Sequence, residues 1–102
     1  MKTVKLELKA NIAERIIKYQ QLFGSKDIMF DKFIDYHINR IKREIALMEM
    51  DIEKFEQKYN MSSKKFFRDF ENGKLGDSKD FILWSGIYEM LLNSKKKLQQ
   101  LV

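Results

Sequence analysis

The stretch TVKLELKANIAERIIKYQQLFGSKDIMFDKFIDYHINR, residues 3–40, decides how the rest of the chain is read. Val4, Leu6 and Leu8 alternate with Thr3, Lys5, Glu7 and Lys9, and a period of two is the pattern of a half-buried strand. A single short strand leaves its backbone donors and acceptors unpaired and makes no sheet. The alternation therefore predicts a two-stranded ribbon, the second strand supplied by another copy of the chain. Asn11 is placed to cap a first helix, along which Ile12, Ile16, Ile17, Tyr19 and Phe23 recur at helical spacing. Gly24 closes that helix as a left-handed C′ residue, and Ser25 or Asp27 caps the next.

Further along, Ile38, Ile41, Ile45, Met48, Ile52, Phe55 and Tyr59 step by alternating threes and fours, which is a heptad seam on one long helix. Phe30, Phe33 and Ile34 continue the apolar side upstream as a broader face. Lys42, Arg43, Glu49, Glu53, Glu56 and Lys58 fill outward positions. A narrow seam on one helix has to be covered by another, either the C-terminal segment or a second chain. Asn60 interrupts the pattern, and Ser62 or Ser63 can cap a short third helix carrying Phe66, Phe67 and Phe70. Asn72-Gly73 stops it, Gly76 marks a loop, and Asp77 or Ser78 caps a last helix with Phe81, Trp84, Tyr88, Leu91, Leu98 and Val102 on one stripe. Lys95, Lys96 and Lys97 sit in the last turns, where positive charge complements the helix dipole.

Composition agrees with a helical chain. Among 102 residues there is no proline and there are only four glycines, so long helices go uninterrupted. Hydrophobic residues make up 44% and charged residues 34%, the balance of a folded domain rather than a disordered one. The absence of cysteine excludes disulfides and thiolate metal sites. A net charge of +5 permits nucleic-acid or acidic partners without demanding them. No apolar run approaches a membrane span and no signal-peptide core opens the chain, so the expected location is cytoplasmic. His37, Asp31 and Asp35 read as solvated charges on a helix face. A single histidine without cysteine ligates zinc poorly. No phosphate-binding glycine loop, nucleophile elbow or paired catalytic signature appears, and the reading is of a protein that is not an enzyme and carries no cofactor or metal.

The order of "TVKLELK", "NIAERIIKYQQLF", "GS" and "KDIMFDKFIDYHINR" resembles the ribbon-helix-helix regulators. The resemblance implies that Val4, Leu6 and Leu8 face inward in a dimer ribbon. Thr3, Lys5 and Glu7 would face DNA bases, and Gly24 and Ser25 with Lys26 would hold a phosphate. Glu7 departs from the pattern, because a carboxylate then faces a polyanion. The stretch "SSKKFFRDFENGKLGDSKDFILWSGIYEMLLNSKKKLQQL" is similar to the C-terminal part of antitoxins from toxin–antitoxin pairs. That likeness implies that Phe66, Phe67, Phe70, Phe81, Trp84 and Tyr88 bind a small toxin. The same aromatic stripes serve equally as an internal core.

Together these readings predict a mainly α fold: an N-terminal ribbon-helix-helix dimer, a long coiled-coil-like second helix and a C-terminal helical extension. Residues 1–60 would dimerise and bind operator DNA, and residues 61–102 would neutralise a toxin. The alternative is a dimeric helical interaction module without DNA binding.

Overall fold

The computed structural model describes every residue from Met1 to Val102. Four helices follow in order: α1 (Ala10–Phe23), α2 (Lys26–Tyr59), α3 (Ser63–Glu71) and α4 (Lys79–Leu101). There is no strand. Residues 1–9 carry no regular structure, and Val4 is 78% exposed with Leu6 at 58%. The expected N-terminal β-ribbon is thereby overturned, and the ribbon-helix-helix dimer with it. Alternation is a burial pattern, and here Val4, Leu6 and Leu8 all stay exposed. The chain also offers no second run of period two to complete a ladder.

Local signals set the helix ends. α1 starts one residue before Asn11, which lies inside the first turn and caps nothing. The carbonyl of Lys9 accepts from the N–H groups of Ile12 and Ala13 at 3.0 and 2.9 Å, with no side-chain cap. Gly24 ends the helix at φ 79°, its N–H donating to the Gln20 carbonyl; a side chain at that φ would be strained. The Ser25 hydroxyl accepts from the Ile28 N–H at 3.1 Å and so caps α2. Ser62 and Ser78 cap α3 and α4 in the same way.

The chain divides into two compact units, Met1–Tyr36 and His37–Val102. The division falls within α2, and the turn at residues 60–63 lies inside the second unit.

The second unit has a closed aromatic core. Ile45, Ile52, Phe66, Trp84 and Leu91 are buried, with Ile41, Met48, Phe55, Tyr59, Phe81 and Tyr88 among the side chains packed on them. Contacts of Lys58 with Asp80 and of Glu49 with Lys95 run α4 antiparallel to α2. The heptad seam is therefore covered by the C-terminal helices of the same chain. Trp84 lies flat on Phe66, the ring centroids 3.8 Å apart and the planes 3° from parallel. Both are fully buried. The indole N–H of Trp84 donates to the Ser63 hydroxyl at 2.9 Å, which satisfies the one polar atom that burying the ring removes from water.

Removing that acceptor strands a buried donor. Ser63→Ala is expected to lower the unfolding free energy by about 1–3 kcal/mol. Ser63→Ala combined with Trp84→Phe should cost less than the sum of the two single changes, because both polar partners then disappear together. Urea unfolding followed by far-UV circular dichroism checks both, and strict additivity would refute the hydrogen bond's role.

Candidate functional site

The six aromatic residues assigned to toxin contact belong to the core of the second unit. Phe66 and Trp84 have no exposed surface. Phe67, Phe70, Phe81 and Tyr88 are half-buried and engaged with one another and with the core. Phe67 meets Tyr88 at 5.2 Å, Phe70 meets Phe66 at 5.5 Å, and Phe81 meets Tyr59 at 5.1 Å. Seam residues Ile41, Ile45, Met48, Ile52 and Phe55 enter the same cluster, and Ile38 is half-buried at its start. Side chains in that position hold the unit together and present little surface to a partner.

The remaining candidates lie in the first unit. Thr3, Lys5 and Glu7 are exposed on the irregular segment. Without the ribbon, no pleat gives the three a common face. Gly24, Ser25 and Lys26 form the turn between α1 and α2. There the Ser25 hydroxyl already occupies the Ile28 N–H, one of the donors an anion at this helix end would use.

What the first unit does present is apolar surface. α1 has no buried residue, although Ile12, Ile16, Ile17, Tyr19 and Phe23 give it an amphipathic stripe. In the whole unit only Met29 is buried. Between α1 and the first turns of α2 lies a cleft of about 680 Å³. α1 contributes Ile16, Tyr19 and Phe23 to it, and α2 contributes Met29, Phe30, Phe33 and Tyr36, with Lys32 as the single charged residue. Leu22 is 82% exposed and Phe33 59% exposed. The sequence announces most of this surface as the α1 stripe and the broader face of Phe30, Phe33 and Ile34. It does not single out Lys32 or Tyr36, since a charged or phenolic residue beside an apolar face reads as solvated.

A second polar feature closes one end of the second unit. The Asp80 carboxylate accepts from the Lys58 ammonium at 2.7 Å and from the Tyr59 hydroxyl at 2.5 Å. The Lys58 hydrogen bond, reinforced by that of Tyr59, holds the Asp80 carboxyl below its ordinary 3.8. Its carboxylate in turn raises Lys58 and Tyr59. Nothing in the sequence pattern pairs these positions, because they are brought together only by the antiparallel packing of α4 on α2.

No group of three His, Asp or Glu side chains is close enough to hold a metal ion. No helix is long and apolar enough to cross a membrane. No protein-family model, curated protein or solved structure matches the chain.

The sign of the Asp80 clamp follows from its shifts. A depressed carboxyl stabilises the fold above its unfolded value and stops doing so as pH falls through the folded one. The raised Lys58 and Tyr59 stabilise it up to about pH 10 and lose that effect as pH rises through their folded values. The melting-temperature difference between the wild type and Asp80→Asn is expected to be constant from about pH 5 to 9 and to close below about pH 4. Thermal melts across that range test this, and a gap that widens in acid would contradict it.

Proposed function

We propose that this chain is a helical interaction module that self-associates through its N-terminal unit, Met1–Tyr36. The observation that carries the proposal is the contrast between an open apolar unit and a closed one. Ordering the backbone of one residue costs about 1–2 kcal/mol, whereas one fully buried aliphatic side chain contributes about 1.5–3 kcal/mol. A unit of this length with Met29 as its only buried side chain falls far short by that comparison. A helix of 14 residues is marginal in water without tertiary packing. Covering the apolar face of α1 and of the first turns of α2 with a like face supplies what is missing.

Operator binding was expected from the ribbon, and toxin binding from aromatic side chains that sit in the core. The proposal rests on neither, and it extends to neither DNA nor a toxin.

The wild-type chain is expected to sediment as a dimer at micromolar concentration. Tyr19→Glu and Phe30→Glu, each placing a charge on the apolar face, should each weaken association by about 30-fold or more, the scale of an interface hot spot. The emission of Trp84, which lies in the second unit, should stay unchanged. A wild type that sediments as a monomer at that concentration would overturn the proposal.

A further inference from the structure

Two open features of the first unit match in pattern and in length. The first is the cleft between α1 and α2, whose mostly apolar walls run from Ile16 to Phe23 on one helix and from Met29 to Tyr36 on the other. At about 1.5 Å per helical residue, either wall is about 10 Å long. The second is the segment before α1, which has no regular structure and whose Val4, Leu6 and Leu8 are all exposed. In extended chain these three fall on one side, with Lys5 and Glu7 on the other. At about 3.3 Å per residue, Val4 and Leu8 lie about 13 Å apart, so the three side chains run the cleft from end to end.

We infer that residues 3–9 dock in the cleft of a second copy of this chain, each copy giving its segment to the other. The inference rests on the self-association proposed above and names what fills the cleft within it. Exchange of an identical element is a low-cost route to a two-fold dimer, in which every contact is made twice. With the two α1 helices antiparallel, the segment that precedes one helix continues along the other toward its Gly24 end. Leu8 then passes Ile16, Leu6 lies midway beside Phe33, and Val4 reaches Phe23. The two segments do not pair with each other, and no ladder forms. Because the cleft is open, Lys5, Glu7 and the backbone polar groups of the segment stay within reach of water. The chain's own segment fits the site less well. Leu8 stands two residues before Ala10 and reaches about 7 Å from it at most, whereas Ile16 lies about 9 Å along α1. Within one chain the backbone at Leu8 stops short of the near wall; from a second copy all three side chains enter.

Leu6→Glu with Leu8→Glu tests the docking outside every helix, since no side chain of the segment caps α1. This variant should self-associate about 10-fold more weakly than the wild type by sedimentation, with the emission of Trp84 unchanged. The chain has no cysteine, so a variant with both Leu6→Cys and Phe33→Cys reports the register directly. A disulfide needs Cα atoms within about 7 Å, which positions 6 and 33 reach only with the segment in a cleft. Air oxidation at micromolar concentration should give a covalent dimer bridged from position 6 of one copy to position 33 of the other, read by non-reducing peptide mapping. A monomer bridged within one chain would place the chain's own segment in the cleft and overturn the exchange. A wild type that dimerises while either the glutamate variant matches it or no such bridge forms would also overturn the exchange and leave self-association standing. A wild type that stays monomeric would overturn self-association and the exchange with it.

Discussion

The flat contact of Trp84 on Phe66 depends on where the chain turns after α2. Asn60 adopts φ 50°, a left-handed value that asparagine tolerates better than most residues. The Met61 N–H reaches back to the Glu56 carbonyl at 3.2 Å, and the Glu56 carboxylate accepts the Ser63 N–H at 2.7 Å. Glu56 thus fixes the turn through both its backbone and its side chain. The turn places Ser63 at the buried start of α3, where its hydroxyl can receive the indole N–H. Only with that donor satisfied can the whole ring leave water without penalty, and only then do Phe55, Tyr59 and Phe81 have an aromatic surface to close on. The surface ion pairs at the ends of α4 are secondary, since exposed pairs contribute about 0–1 kcal/mol each.

That closure leaves the two ends of α2 in different situations. Its C-terminal portion spends a narrow seam against α4 and α3. Its N-terminal portion belongs to a unit with one buried side chain and a row of exposed isoleucine, phenylalanine, tyrosine and leucine residues. Scattered apolar residues on a surface need no explanation, but a contiguous apolar patch marks an interaction site. The functional proposal follows from this difference within one molecule.

Helix boundaries other than the start of α1, where Asn11 caps nothing, were legible because caps are local chemistry. Gly24, Ser25, Asn60, Ser62 and Ser78 act within a few residues of themselves. The strand was misread because a strand is not local: Val4, Leu6 and Leu8 have the right alternation and no neighbour to make it matter. Periodicity also says that a side chain is buried without saying by what. It identified Phe66, Trp84 and Phe81 as important aromatic positions and left open whether a partner or the chain's own helices would cover them. The Asp80 clamp and the Ser63–Trp84 bond were invisible because each joins residues about twenty positions apart through helix packing alone. The open cleft was half legible, its apolar lining apparent from helical spacing and its lysine hidden by the habit of assigning charges to solvent.

The width of the apolar surface along α2 bears on what covers it. Steps of three and four concentrate Ile41, Ile45, Met48 and Ile52 on one line, which a single antiparallel neighbour can cover. Upstream, Met29, Phe30, Phe33 and Ile34 spread over a broad arc, because consecutive residues on a helix point about 100° apart. One neighbouring helix covers one line of such an arc, and α1 buries only Met29 of it. A broad arc is the surface of a helix with neighbours on more than one side, the arrangement inside a bundle. Within the first unit α1 is the only other helix, and Phe33 and Ile34 on that arc stay exposed.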